Sequence, residues 1–328
     1  MTADGLVRID AGGRRVIGAG LFPSRWQLPD GRLVAIASKG DGSPDAEQLA
    51  LIDREGGVTR IGFAAPQLRD PAVARDGRSI VVAANRDGHS DLYRIDVATG
   101  RDIRLTDDVE GNFAPAVAGD SIVFVSSRDG DAELYRRSAR GKVVRLTAFH
   151  RDDWAPTPSP DGKTIAFLSD REGPVRLFAM SIDGTQLRRL VPGDGSGDAR
   201  SDGPGDGPSD GPSDGPSDGP SDGDVGDPVW SSDGAWLAYT VQRAGGRSEV
   251  WVHDMRRNAS WTITAAGASD HEPAFAPDGR SIVVSRELGA QTDLWIVPLA
   301  PDAALQTTQV ARRLAGEGAE RLPRWFAR

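Results

Sequence analysis

The chain contains no cysteine, no long apolar run and no basic stripe, and each absence excludes a class of protein. Without cysteine among its 328 residues, it forms neither a disulfide nor a thiolate site. No apolar stretch approaches the length that spans a bilayer. The first residues, Met-Thr-Ala-Asp-Gly, have neither the basic start nor the apolar run of a secretion signal. We therefore expect a cytoplasmic, monomeric protein without a membrane partner, or a periplasmic or secreted one if a leader was removed.

The acidic charge is concentrated in one segment. The formal net charge is -9, and residues 193–224 contain nine Asp and one Arg, so the rest of the chain is nearly neutral. This segment repeats Ser-Asp-Gly-Pro and has almost no apolar side chains, so it cannot bury enough surface to offset the entropy of ordering. We predict a disordered insert over 193–224 within a single domain that spans 1–328. The nearly neutral body lacks the basic face that nucleic-acid binding needs.

A turn related to Ser-Pro-Asp-Gly recurs before apolar runs of five or six residues and defines a repeat. Proline presets the first central position of such a turn, Asp bonds to its own backbone, and Gly takes a positive φ. Successive turns are 41 to 46 residues apart, except where the acidic insert lengthens one step to 72. This period, made of short strands, is typical of a β-propeller. The turn aspartates are Asp30, Asp76, Asp120, Asp161, Asp233 and Asp278.

Each repeat is expected to form four strands: a first around a proline, a second apolar on both faces, an alternating third with an aromatic, and a polar fourth whose Arg and Thr suit an outer edge. Six repeats are complete. Residues 5–17 match a third and fourth strand, and residues 322–326 match a first strand. We predict an all-β propeller of seven blades, one of them a composite closed by the N- and C-terminal strands; six blades is the alternative.

The repeat resembles the WD-like propeller repeats of the TolB family. The resemblance covers nearly the whole chain outside the insert, and its best match is Ala155 to Leu190, with Ser159-Pro160-Asp161-Gly162 and Ser169-Asp170-Arg171-Glu172-Gly173. Similar repeats occur in tricorn-type proteases and beside the hydrolase domain of prolyl-oligopeptidase relatives. The resemblance implies the fold but no activity. The leader and extra N-terminal domain of TolB itself are not seen here, so partnership with the peptidoglycan-associated lipoprotein is not implied.

Several charged residues and one tryptophan are placed by the repeat next to the first strands, where we expect the mouth of the central channel. A ring of carboxylates there would hold a divalent cation or receive a basic peptide. The alternative is that Asp before Pro starts a turn and bonds local backbone. The proposed binding residues are Asp70, Asp153, Trp154, Asp227, Glu272 and Arg324.

Three histidines, His89, His150 and His271, are expected on the same face of the propeller. With nearby carboxylates they would form a metal site of mixed imidazole and carboxylate ligands, of the kind found in propeller lyases acting on uronates. Solvated loop histidines are the alternative. The Gly-x-Ser-x-Gly match at 207–211 lies in proline-punctuated polar repeat, which is not the strand-to-helix turn of a serine hydrolase.

The favoured function is therefore a non-enzymatic propeller that binds a protein or peptide through loops on one face, without a resident cofactor. A propeller is rigid enough to preorganise such loops. The alternative is a metal-dependent carbohydrate lyase or hydrolase that uses the same face. The two differ in whether the three histidines converge with carboxylates.

Overall fold

The computed structural model describes residues 6–10, 13–18, 20–38, 47–190, 223–289, 291–299 and 312–313. All regular secondary structure within these ranges is β-strand, which confirms the all-β prediction. A search of the same residues finds no helix that is long and apolar enough to cross a membrane.

The strands form one two-stranded sheet and six four-stranded sheets, all antiparallel and each ordered as in the sequence. The N-terminal hairpin contains β1 (Leu6–Asp10) and β2 (Gly13–Gly18). Sheet 1 contains β3 (Leu21–Gln27), β4 (Leu33–Ser38), β5 (Glu47–Ile52) and β6 (Val58–Ala65). Sheet 2 contains β7 (Gln67–Val73), β8 (Ser79–Asn85), β9 (Ser90–Asp96) and β10 (Asp102–Arg104). Sheet 3 contains β11 (Asn112–Ala118), β12 (Ser121–Ser126), β13 (Glu133–Arg137) and β14 (Val143–Arg145).

The second half of the chain continues this pattern. Sheet 4 contains β15 (Asp153–Pro158), β16 (Thr164–Ser169), β17 (Arg176–Ser181) and β18 (Arg188–Leu190). Sheet 5 contains β19 (Val225–Trp230), β20 (Trp236–Gln242), β21 (Ser248–Asp254) and β22 (Ala259–Thr262). Sheet 6 contains β23 (Ser269–Phe275), β24 (Ser281–Leu288), β25 (Gln291–Pro298) and β26 (Arg312–Arg313).

The recurring turn joins the first two strands of a sheet, as predicted. In sheet 4 the amide of Gly162 donates to the carbonyl of Ser159 at 2.8 Å, and Gly162 has a φ of 69°. The Ser159 hydroxyl donates to Asp161 Oδ1 at 2.6 Å and lowers the pKa of that carboxyl. The turn is thus closed by its own Ser, Asp and Gly, which explains why these residue types recur.

The core lies between neighbouring sheets. Successive residues of a second strand point to opposite faces, so Ile80 and Val82 pack in a cluster with sheet 1, whereas Val81 and Ala83 pack with sheet 3. Equivalent clusters join sheets 3 and 4, 4 and 5, and 5 and 6. Sheets that are consecutive in sequence are therefore neighbours in space.

The N-terminal hairpin lies next to sheet 1, since β1 contacts β3. Its position agrees with the third and fourth strands predicted for a further blade. The strand predicted at 322–326 lies outside the described residues, so the blade count and the closure of a composite blade stay predictions. Residues 193–222 of the predicted insert also lie outside them.

Two residues at the C-terminal end of the predicted insert make hydrogen bonds in the structure. Asp224 accepts a bond from the amide of Val175 at 3.0 Å, and the carbonyl of Gly223 accepts one from Arg176 at 3.0 Å. Both residues directly precede β19, and these bonds join them to the start of β17 in sheet 4.

Candidate functional site: the axial channel

A bulge interrupts every first strand and determines which residues face the channel. In five sheets it falls at a residue followed by proline, where the register with the second strand shifts. Proline disfavours the right-handed helical region for the residue before it and has no N–H to donate. These bulge residues instead adopt a left-handed backbone, with φ between 43° and 53°. They are Asp70, Ala114, Ala155, Asp227 and Glu272.

The first strands begin earlier than the sequence analysis predicted. It placed Asp70, Asp227 and Glu272 just before these strands, whereas the structure places them inside β7, β19 and β23. The bulge is the physical reason, because it breaks the regular alternation that a strand shows in sequence.

A cavity of about 830 Å³ lies at the centre of the sheets. It is lined by residues of β3, β7, β11, β15 and β19 and by the turns that follow four of these strands. Because the first strands of five sheets border one space, this space is the axial channel of the propeller. The end that the recurring turns surround is called the turn end below, and the opposite end is called the loop end.

The channel wall is mainly apolar and contains five aromatic rings. Phe113 and Trp154 occupy the same repeat position, seven residues before the turn Asp, and both border the cavity. Trp230 is held in place by its indole Nε1, which donates to the carbonyl of Thr157 at 2.7 Å. The aromatic residues of the wall are Phe22, Trp26, Phe113, Trp154 and Trp230.

Two charged residues of opposite sign also line the cavity. Asp70, exposed at its bulge, accepts a bond from the amide of Ala114 through Oδ2 at 3.3 Å. Arg75 lies in the turn after β7, and its Nη1 donates to the carbonyl of Pro160 at 2.7 Å. The channel thus combines an apolar wall with one carboxylate and one guanidinium.

The other residues predicted at the channel mouth lie apart from this cavity. Asp227 is exposed at its bulge and Glu272 is half-buried at the equivalent position, but neither is in the lining. Arg324 lies outside the described residues. Of the predicted set, Asp70 and Trp154 are the two that line the cavity.

Asp153 has a structural position, which corrects its expected exposure to a ligand. Its side chain is fully buried, and both of its oxygens accept from Arg171 Nη2 at 2.8 Å. The Arg171 guanidinium also lies over the ring of Phe178, 4.6 Å from the ring centre. Asp270, at the same repeat position in sheet 6, is paired with Arg286 of β24 through bonds of 2.6 Å. Strand alternation turns Asp153 away from the wall that its neighbour Trp154 borders.

The fourth strands use their Arg and Thr for internal bonds as well as at an edge. Asp91, which is 1% exposed, accepts from Arg104 at 2.5 Å and from Thr106 at 2.8 Å. Glu133 accepts from Arg145 at 2.9 Å and from the Thr147 hydroxyl in sheet 3. The Arg-Leu-Thr motif therefore fastens the end of the fourth strand to the third.

The predicted histidines do not form a metal centre in the structure. His89 and His150 are exposed, and His271 lies in β23 with its Nε2 at 3.0 Å from the Ser269 hydroxyl. Among the described residues, no three His, Asp or Glu side chains come together in a way that would hold a metal ion.

The fourth histidine, His253, was not singled out by sequence. It is 1% exposed in β21, and its Nδ1 lies 2.8 Å from the Ser260 hydroxyl. Burial lowers the pKa of its imidazole to about 4. His253 is paired with Leu237 of β20, and the equivalent pair in sheet 2 is Ile80 with Ile95. His253 therefore occupies a repeat position that is apolar in sheet 2. His253 therefore packs in the core of the sheets and does not line the cavity.

Known structures establish the fold. No protein-family model matches the chain, and no curated protein is similar to it. TolB from Acinetobacter baumannii is similar with a TM-score of 0.59 and 21% identity, over 90% of this chain and 66% of that one. An oligogalacturonate lyase in complex with manganese has a TM-score of 0.65 at 15% identity, over 94% and 83% of the two chains. The chain thus spans about two thirds of the length of that TolB.

The β-propeller domain of the Trilobed protease from Pyrococcus furiosus is also similar, with a TM-score of 0.62 and 13% identity over 93% of this chain and 86% of that one. It is described as having an open velcro topology. The similarity to TolB and other propellers is thereby confirmed for the fold. At these identities the similarity shows the fold alone.

Proposed function

We propose that this propeller is a non-enzymatic scaffold that binds an extended peptide segment of a partner protein in its axial channel. The observation that carries the proposal is the cavity of about 830 Å³ with five aromatic residues in its wall. This volume lies within the range of about 300–1,000 Å³ that is usual for ligand pockets. Aromatic rings supply large contact areas at a low entropic cost.

The wall is preorganised for binding. Each first strand is paired with a second strand whose residues are buried on both faces, such as Val123 and Phe124 of β12. Trp230 is further fixed by its bond to Thr157. A rigid wall loses little entropy when a ligand binds, so more of the contact energy is available as affinity.

The backbone of the wall favours recognition through side chains. Pro71, Pro115, Pro156 and Pro158 line the cavity and have no N–H to donate. A peptide therefore cannot form a continuous β-ladder with these strands. Apolar contacts with the rings, together with the Asp70 carboxylate, are the interactions that remain, and they suit apolar side chains near a basic group.

The carbohydrate-lyase alternative depended on three histidines that converge with carboxylates. The placement of His89, His150 and His271 gives that alternative no support, and no other observation in the described residues favours it. A cytoplasmic location and a monomeric state remain predictions that accompany the proposal.

The test is retention of peptides by the purified full chain. A pooled library of nine-residue peptides is equilibrated with the protein, and the retained peptides are identified by mass spectrometry. We expect enrichment of peptides with aromatic and aliphatic side chains, and loss of this enrichment in Phe113→Ala. Phe149→Ala is the matched control, because Phe149 is 48% exposed, close to the 41% of Phe113, but does not line the cavity.

Equal retention by both variants and by the unmodified protein would place binding outside the channel. No enrichment with any of the three proteins would contradict a peptide-binding function. Near-ultraviolet circular dichroism of the variants shows whether packing is unchanged, so that a loss of binding is not confused with a loss of structure.

A further inference from the structure

One position of the recurring turn differs chemically in sheet 2. The second residue of the turn is uncharged in the other five sheets, where it is proline, glycine or serine. In sheet 2 it is Arg75, which is the one cationic residue in the described lining of the cavity. The uncharged counterparts are Pro29, Gly119, Pro160, Ser232 and Pro277.

Arg75 extends across the turn end rather than outward along its own sheet. Its Nη1 bonds to Pro160 in sheet 4, although sheet 3 lies between sheets 2 and 4. The residue of sheet 3 at this position is Gly119, which has no side chain to obstruct the guanidinium. Arg75, Gly119 and Pro160 all line the cavity.

The Arg75 guanidinium can donate more hydrogen bonds than it makes to the described residues. An arginine carries five N–H groups, and the Nη1 bond to Pro160 is the one bond of this side chain to another described residue. Among the described residues, no carboxylate lies within ion-pair distance of it. Because arginine binds carboxylates through two parallel bonds, Arg75 is suited to an incoming anionic group.

The Arg75 side chain itself crosses the turn end, since it reaches from sheet 2 to the Pro160 carbonyl of sheet 4. A methyl group added at Gly77 would lie 2.4 Å from Pro29 Cδ, and one added at Gly162 would lie 3.0 Å from the Gly119 nitrogen. The turns of neighbouring sheets are thus packed directly against each other. An anionic group that reaches Arg75 from inside the channel is therefore expected to be the end of a chain.

We infer that Arg75 binds the free terminal carboxylate of a peptide that enters the channel from the loop end. The inference rests on the proposed function and specifies which part of the peptide is recognised. Asp70 lies five residues before Arg75, so their Cα atoms are at most about 18 Å apart. An extended peptide of about five residues, with a basic group near its start, spans that distance.

The experiment compares two pools of random five-residue peptides that differ only at the C-terminus, which is a free carboxylate in one and an amide in the other. Retention by the full chain is measured by mass spectrometry at equal total concentration. We expect the carboxylate form of the retained sequences to bind about tenfold or more tightly than the amide form, since a charge-assisted bidentate contact is lost in the amide.

Three variants assign the effect to the guanidinium. Arg75→Gln removes the charge, and Arg75→Pro introduces the residue that sheets 1, 4 and 6 have at this position. Both should remove the preference for the carboxylate, and the second provides a fold-compatible alternative if the first is unstable. Arg78→Gln is the matched control, because Arg78 is exposed in the same turn but does not line the cavity.

The outcomes separate this inference from the proposed function. A preference for the carboxylate that is lost in both Arg75 variants and kept in Arg78→Gln supports the inference. Equal retention of the two pools overturns it while leaving peptide binding in the channel intact. A carboxylate preference that survives in both Arg75 variants also overturns it, and retention of neither pool contradicts the proposed function itself.

Discussion

Charged side chains between the sheets and in the channel wall have opposite surroundings. Inside sheet 4, both oxygens of the buried Asp153 are paired with Arg171. In the wall, Asp70 is exposed and accepts one 3.3 Å bond from a main-chain amide, and Arg75 donates to one main-chain carbonyl. Interior charges therefore stabilise the sheets, whereas the charges of the wall retain bonding capacity for a ligand. Similar residues of one repeat thus have two different roles, which substitution can distinguish.

The largest expected effect comes from breaking an interior pair. Arg171→Met would leave the Asp153 carboxylate buried without its partner, since Arg171 is 6% and Asp153 0% exposed. We expect the free energy of unfolding to fall by about 3–5 kcal/mol. Urea denaturation followed by tryptophan fluorescence measures this change. A loss below about 1 kcal/mol would mean that the pair does not differ from a surface ion pair.

The next effect is a pH dependence that arises in the core. The unfolded chain protonates His253 near its ordinary pKa of 6.5, but burial lowers the folded value to about 4. As the pH falls from about 6.5 to 4, the unfolded state takes up a proton that the folded state does not, so stability decreases. The loss amounts to about 3 kcal/mol at most.

His253→Met isolates this contribution, because Met180 occupies the equivalent position in sheet 4. The difference in unfolding free energy between the variant and the unmodified protein should change across the pH window, while the carboxylates common to both cancel. His150→Gln, at an exposed histidine, is the control substitution. A constant difference for His253→Met would contradict the buried neutral histidine.

A smaller effect is expected from the wall itself. Trp230→Phe keeps an aromatic ring but removes the indole N–H that donates to Thr157 at 2.7 Å. We expect a loss of about 1 kcal/mol in stability, as for one neutral hydrogen bond. Thermal denaturation measures it, and an unchanged midpoint would show that this bond does not fix the ring.

The smallest change in stability is expected for Asp70→Asn. The side chain is exposed and retains an oxygen for the Ala114 amide, so the unfolding free energy should stay within about 0.5 kcal/mol of its original value. Binding of basic peptides should nevertheless weaken, because the only carboxylate in the described lining has been neutralised. Unchanged affinity for a lysine-containing retained peptide would remove Asp70 from the site.

The sequence predicted the fold from its turns and apolar runs. Each second strand contains the apolar run that the turn introduces, for example Ile165 to Ser169 within β16. The repeat predicts the strands because the conformation of each turn depends on local residues, and the number of repeats predicts the number of complete sheets. It cannot predict closure in the same way, because pairing of distant strands depends on the whole assembly.

The site was predicted less completely, for physical reasons. Asp153 and Trp154 are adjacent, but strand alternation sends one into the interior and the other to the wall, and the bulge obscures this order in sequence. Phe113 was missed although it precedes Asp120 by the same seven residues that separate Trp154 from Asp161. Arg75 was also missed. The available signal was that it is charged, whereas the second turn residue is uncharged in the other five sheets.

The most direct test of the peptide-binding channel uses the absence of cysteine from the chain. Single cysteines are introduced as Ser232→Cys, at an exposed residue of the cavity lining, and Phe149→Cys, at an exposed residue outside it, and their alkylation rates are measured with and without a saturating concentration of a retained peptide. We predict that the peptide slows alkylation at position 232 and leaves the rate at position 149 unchanged. An unchanged rate at position 232 under saturation would contradict binding in the channel.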